Sequence, residues 1–237
     1  MQNVSALYIN IISNEPHWFE TKLVIDNVGT FDETQLFALS TNHAMFTQTV
    51  KIGLAVAGEI EVKMLYPSVQ IPTMACLRPY VRVCNATQQS EWIPQGVYYI
   101  DTRERTKDDT GLSFLTIHGY DAMLKAEQMW TDRGTLDWEY GTVSDWAIVD
   151  DIATIMDVQV DPRTYSIMTK WYEIPMPISY TLREILSYIA SMYAGCFIIT
   201  DEGKLRLVAI NELPPETNYL IDNVGNWITF GGDRILV

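Results

Sequence analysis

The sequence predicts a mostly β member of the α+β class: an antiparallel barrel or sandwich followed by a smaller α+β unit. Three observations predict it. Short runs of alternating apolar and polar residues recur through the first half of the chain, punctuated by Gly, Pro, Asn and Asp. At Asp121 the period changes to a helical one without a loop. From about Leu136 onward, helical stripes and a late hairpin replace the run of strands.

The elements follow in order. Residues 17–25 (HWFETKLVI) alternate with Phe19, Leu23 and Ile25 on one face, and Asn27 to Gly29 supply a turn. Residues 47–53 carry a weaker strand pattern. In residues 58–65, Ile60, Val62 and Met64 oppose Glu59, Glu61 and Lys63, the pattern of a sheet with one buried and one wet face. Pro67 and Pro72 mark a connection before a strand over 80–84. Residues 97–103 and 112–118 form a hairpin, with the polar segment 104–111 as a long turn. Asp101 sits in the first of these strands and is expected to be half buried. Asp121 is placed as the N-cap of a helix that presents Met123, Ala126 and Trp130 on one side.

In the second unit, Ser144 is positioned to cap a helix running to Met156, with Ile148, Ile152 and Ile155 inward and Val143 and Ile148 spaced as a hydrophobic staple. Asp150 and Asp151 are read as a solvated helix surface. Residues 157–180 look irregular, with Pro162, Pro175 and Pro177. Thr181-Leu-Arg-Glu184 is a capping box, and Leu182, Ile185, Leu186, Ile189, Ala190 and Tyr193 hold the stripe of an amphipathic helix. Gly195 is expected to end it as a left-handed cap. Residues 196–210 then form a hairpin about Asp201-Glu-Gly203. The partition is therefore 1–135, 136–210 and a return segment 211–237. The pentapeptide IDNVG at 25–29 recurs at 221–225, but the flanking residues do not match, so it is turn chemistry rather than a repeat. The apolar run that ends at Val237 reads as a strand that continues into a further domain.

Composition narrows the function. The 237 residues carry 16 basic and 30 acidic side chains, a net charge of −14, which disfavours binding to nucleic acid phosphates. Hydrophobic residues make up 48%, enough for a packed core. Cys76, Cys84 and Cys196 form no CxxC and read as buried free thiols of a reducing compartment. The N-terminus lacks the basic start of a signal peptide, and the apolar stretch 185–199 is too interrupted for a membrane span.

No chemical motif emerges. His17, His43 and His118 stand apart with no second ligand at metal-binding spacing, so no metal and no cofactor is expected. There is no GxGxxG, P-loop, GxSxG or HExxH. Asp101 and Asp121 are the carboxylates a hydrolase reading would test, but a glycosidase needs two facing one cleft. The aromatic residues are spread in the manner of core and subunit contacts. No catalytic residue is assigned.

Several stretches together carry a resemblance. Residues 93–101 (IPQGVYYID), an acidic turn, a strand and residues 119–127 (GYDAMLKAE) resemble the N-terminal region of phage tail hub proteins, the baseplate hub or tail-associated tip proteins of long-tailed phages. HWFETKLVI, KIGLAVAGEIEVKML (Ile52, Gly53 and Ala57 to Leu65), IPTMACLRPYVRV and TLREILSYIASMYAGCFIITDEGKLRL (Thr181, Arg183 to Leu186, Gly195, Asp201, Gly203 and Leu205) fall in the family's order. The resemblance spans most of residues 17–210. It implies a tail-tube-like barrel with an inserted α+β domain and no catalytic residues. It also implies a homotrimeric ring that caps the tail tube and adjoins tape-measure and distal-tail or baseplate proteins. DNA would pass through without specific binding. The location implied is the virion tail, after synthesis in the host cytoplasm, with no membrane insertion. Family members often continue into a second barrel and sometimes a host-binding or wall-degrading domain. A tail-tip cell-wall or polysaccharide hydrolase and a host-receptor-binding module are the alternatives.

Overall fold

The computed structural model describes residues 4–14, 16–44, 51–130, 142–169, 172–175, 179–210, 229–230 and 233–234. Residues 47–50 of the weak strand read over 47–53, the second IDNVG and most of the return segment lie outside these, and the described residues 51–53 form no strand.

A short helix α1 (Ala6–Ile12) precedes an antiparallel sheet of eight strands: β1 (Trp18–Ile25), β2 (Gly29–Asp32), β3 (Leu36–Asn42), β5 (Glu59–Leu65), β6 (Cys76–Cys84), β7 (Ile93–Pro94), β8 (Tyr98–Lys107) and β9 (Ser113–Asp121). The order is β2-β1-β6-β8-β9-β5-β3, with β7 also pairing β6. The path begins and ends on strands joined by three residues, 33–35, with Gln35 N–H bonded to the Asp32 carbonyl at 2.9 Å. A three-residue link can span only about 10 Å, so the sheet rolls until its ends approach. No pairing joins β2 to β3, so the barrel expected from sequence is an open-sided roll. Its interior is filled by Leu23, Ile25, Ile60, Val62, Met64, Leu77, Tyr98 and Ile117, the inward positions of alternating strands.

The strand β6 begins four residues before the predicted start. Pro79 hid it, because a residue without an N–H argues against a strand. Pro79 lies where the far side of β6 passes from β8 (at Cys76 and Leu77) to β7 (at Tyr80 and Val81), so no N–H is missed there. The β8–β9 hairpin is also longer than predicted. Residues 104–107 continue the strand, and the turn is confined to 108–112, where the Asp108 carboxylate accepts the N–H of Thr110 and of Leu112 at 2.9 Å each. Charge alternation had mimicked a turn.

After β9 comes a 3₁₀ helix (Ala122–Glu127), capped as expected by Asp121, whose carboxylate accepts the Met123 N–H at 2.8 Å. The following elements are β10 (Thr142–Ser144), α2 (Asp145–Met156), α3 (Pro162–Ile167), β11 (Glu173–Pro175), α4 (Leu182–Met192), β12 (Gly195–Ile199), β13 (Leu205–Ala209) and the pair β14 (Thr229–Phe230) and β15 (Asp233–Arg234). The segment read as irregular thus contains α3 and β11. The two-residue strand β4 (Leu54–Ala55) pairs in parallel with β12, completing a three-stranded sheet, β13-β12-β4. The chain between β3 and β5 therefore crosses to the second sheet and back. Ile148, Ile152, Leu182, Ile185, Leu186, Ile189 and Phe197 form the second core together with Ala55, Met123, Ala126 and Trp130.

The α4 capping box is present: Thr181 Oγ accepts the Glu184 N–H at 3.2 Å, and Glu184 accepts the Thr181 N–H at 2.8 Å. Two expected caps differ. Ala194, at φ +49, takes the left-handed position after α4. Gly195 is required instead by close packing, since a Cβ there would lie 2.5 Å from the Val208 carbonyl oxygen. Ser144 makes no capping bond. The buried Asp145 organises that helix start: its carboxylate accepts the N–H of Trp146 (2.8 Å) and Tyr172 (3.1 Å) and the Tyr193 hydroxyl (2.6 Å). Asp151 is buried as well and accepts the Trp130 indole N–H at 2.9 Å, and Asp150 accepts the Tyr165 hydroxyl at 2.6 Å. The solvated-surface reading of this pair is therefore corrected.

Candidate functional site

The residues with the most unusual environments converge where the rolled sheet meets the second sheet. A cleft of about 550 Å³ lies between His43, Gly58, Pro94 and Asp121 on one side and Ile198, Asp201 and Arg206 on the other. Pairing within the roll brings the ends of β3, β5 and β9 together, and the β4 crossover brings the second sheet to them. His43 follows β3, Gly58 precedes β5, Asp121 ends β9, and Asp201 begins the β12–β13 turn.

Asp121 is the centre of this joint. It is 2% exposed, and both carboxylate oxygens accept backbone N–H groups: Oδ1 from Met123 and Oδ2 from Gly58 at 2.6 Å. Burial pushes its pKa up to about 6, while the N–H bonds from Gly58 and Met123 oppose the rise. Gly58 is tightly enclosed: a Cβ would lie 2.9 Å from Asp121 Oδ2 and 3.1 Å from His43 Nδ1, so one of those side chains would have to shift. Beside it, the fully buried Tyr98 brings its hydroxyl to Nε2 of His43 and to the Gln95 carbonyl. Burial first, then the Asp121 and Asp201 charges, raise the phenol's pKa. Asp201 Oδ1 stands 3.7 Å from His43 Nε2, a contact that ties the late hairpin to the rolled sheet.

The other charged groups of the cleft have structural partners. Glu91 accepts from Ser5 N–H and Oγ–H at 2.7 and 2.6 Å, which anchors α1. Arg163 donates to Asp161 at 2.6 Å and holds that carboxyl's pKa down to about 2. Glu202 pairs with Lys204 at 2.6 Å. A carboxylate with both oxygens on backbone N–H groups is a cap and a cross-chain tie. Acid–base work would require one oxygen to be released.

Asp101, the other carboxylate of the hydrolase reading, is not half buried. It is the exposed extra residue of a β-bulge between Ile100 and Thr102 and does not line this cleft. His17 lies on β1's approach and His118 on β9, and neither lines this cleft. Among the described residues, no three His, Cys, Asp or Glu side chains gather to hold a metal, and no helix is long and apolar enough to cross a membrane. The three cysteines are free thiols, and burial raises that of Cys76 to about 11.

A second candidate surface is the wet face of the roll. Opposed residues of an antiparallel pair share a face. Glu61 lies between Ser40 and His118, Glu59 between Asn42 and Tyr120, and Lys63 between Ala38 and Thr116. The bulge at Asp101 puts Glu104 opposite Thr116 on that same face. Over β3, β5, β9 and β8, Glu59, Glu61 and Glu104 against Lys63 make a net acidic patch, while the outward positions of β1 and β6 carry Lys22, Arg78 and Arg82 against Glu20.

The fold has solved counterparts. The 43 kDa tail protein of prophage MuSo2 from Shewanella oneidensis superimposes with a TM-score of 0.53 at 13% identity, over 81% of this chain and 53% of that one. The tail protein from Neisseria meningitidis MC58 gives a TM-score of 0.51 at 10% identity, over 80% and 50%. The fold is that of phage tail proteins. No family model matches the sequence, and no curated protein matches it. The chain spans about half the length of these two tail proteins. The tail-protein fold agrees with the resemblance over residues 17–210 at the level of phage tail proteins, and two of the stretches that carry it lie in β7 to the 3₁₀ helix and in α4 to β13.

Proposed function

We propose that this chain is a structural subunit of a phage tail hub, part of a homotrimeric ring that caps the tail tube next to the tape-measure and distal-tail or baseplate proteins. The observation that carries this reading is the likeness to two phage tail proteins over four fifths of the chain. The order of the hub-like sequence stretches supports the narrower assignment to the hub. Residues 1–135 would form the tube-like unit, 136–210 the inserted α+β unit, and 211–237 the return into a further barrel.

The role is structural rather than catalytic. What supports this is the use of Asp121 as a doubly bonded backbone tie and the separation of Asp101 from the cleft. The acidic face bearing Glu59, Glu61 and Glu104 supports a further reading, a bore through which DNA slides without being held, since like charge repels phosphate.

The test is localisation. Antibody against this chain, viewed by electron microscopy on purified virions, is expected to label the distal end of the tail tube. Density of three copies in a ring there would agree with the hub assignment. Label on the shaft or the capsid would overturn it. Lysis of bacterial walls by the purified chain, lost on Asp121→Asn, would favour the hydrolase.

A further inference from the structure

Two surfaces of this chain are apolar and exposed, with one carboxylate at the edge of each, Glu91 at the Ser5 end of α1 and Glu184 one turn before Tyr188 on α4. The first is α1. Residues 5–14 (SALYINIISN) contain no charged side chain, and the helix buries Ile11 alone against the sheet. Leu7, Ile9 and Ile12 stay exposed, Ile9 by 54%. A seven-residue helix is far too short to persist on its own, and one that is apolar nearly all round belongs in an interior. Here the interior is missing on one side. The second surface is the outer side of α4. Beyond its capped first turn it presents Tyr188 (57% exposed) and Met192, and Tyr180 lies edge-on to Tyr188 at 5.5 Å between centroids. Gly53 packs against Ser191 beside them, which brings the exposed Ile52 to the same side.

We infer that the chain associates head to tail, the α1 face of one copy seating on the α4 face of the next. This rests on the ring reading above and assigns its contact. Two chains of charge −14 repel each other, so the contact that costs least brings together surfaces poor in carboxylates, and the two at the edges here, Glu91 and Glu184, are engaged by Ser5 and Thr181. A ring built by rotation needs two different faces on each subunit, and α1 and α4 are on different elements of the fold, α1 on β6 and α4 on β4, β12 and the 3₁₀ helix. The chemistry also matches: branched aliphatic side chains on one side meet Tyr and Met on the other, residue types enriched at protein interfaces.

The test uses two full-length variants, Ile9→Glu and Tyr188→Glu. Both residues are more than half exposed, so each variant should keep the wild-type circular dichroism and melting temperature. In sedimentation over a concentration series, the wild type is expected to associate, and each variant to need at least about tenfold more protein. An equimolar mixture of the two variants is expected to form heterodimers and nothing larger, because one α1 face and one α4 face remain intact between them. Self-association of Tyr188→Glu at the wild-type midpoint, an inert mixture, or a monomeric wild type would each overturn the head-to-tail contact. If the wild type and both variants assemble equally well, the ring reading survives and this choice of faces falls.

Discussion

The carboxylate of Asp121 accepts the Gly58 N–H at 2.6 Å across a gap of 63 residues, locking the end of β9 to the start of β5. The same carboxylate caps the 3₁₀ helix. One buried side chain therefore sets where the rolled sheet stops and the second core begins.

That position predicts a pH signature. Burial raises the Asp121 pKa from 3.8 to about 6, so the folded state holds a proton the unfolded state has released. The stabilising contribution of this group is complete below the unfolded value and is lost as pH rises through about 6. Asp161 and Glu20, with lowered values, act in the opposite sense, so the total profile hides the effect. The difference between wild type and Asp121→Asn isolates it. Between about pH 7 and about pH 4, the wild type should gain roughly 2 kcal/mol on the variant, measured by urea unfolding. A pH-independent difference would mean that Asp121 titrates normally.

Gly58 predicts a steric counterpart. Gly58→Ala must displace either the Asp121 carboxylate or the His43 ring. The expected loss is about 1–3 kcal/mol, the cost of a buried hydrogen bond broken on one side. The same substitution made in Asp121→Asn should cost less, because the two changes share one contact. Strict additivity in this double-mutant cycle would count against the tie.

The α4 helix is a pillar of the second core. Thr181→Ala is expected to cost about 1 kcal/mol through the lost cap. Leu186→Ala, at a fully buried position, is expected to cost roughly 2–5 kcal/mol by leaving a cavity. An unmoved melting curve for Leu186→Ala would contradict the packing described.

How much of this was legible depended on the range of the interaction. The stripes of β5 and α4 and the Thr181 capping box are set by spacing within a few residues, and they stand where the sequence put them. β2 and β3 were missed because β3 is an edge strand whose Phe37 and Ala38 face solvent at a register shift, which breaks the apolar alternation. The bulge at Asp101 was invisible for a related reason: one added residue exchanges the faces of everything after it. The joint of His43, Tyr98, Asp121 and Asp201 could not be read at all. Tyr98 and Asp121 are opposed in the β8–β9 hairpin, but His43 and Asp201 join them from distant parts of the chain, Asp201 from the sheet that β4 joins, and each alone looks like an ordinary histidine, core tyrosine, cap or turn aspartate.

The last prediction concerns the acidic face of the roll. Glu59, Glu61 and Glu104 point the same way, and Lys63 offsets only one of them. If this face lines a bore, its sign should be what keeps DNA from sticking. Fixed cation–phosphate contacts release counterions and tighten as salt falls, which would stall a sliding duplex. The wild-type chain is therefore expected to give no gel shift with duplex DNA at low salt. Replacing all three glutamates by lysine changes the net charge from −14 to −8, still acidic overall, so any binding gained must come from the local face. The triple variant is expected to bind duplex DNA, with an affinity that falls on adding salt by a logarithmic slope of about −0.9 for each phosphate contacted. If the same three substitutions were silent while lysines placed at the exposed Glu33, Asp109 and Glu202 produced binding, the face would be ordinary solvated surface and the bore would have to lie elsewhere on the chain.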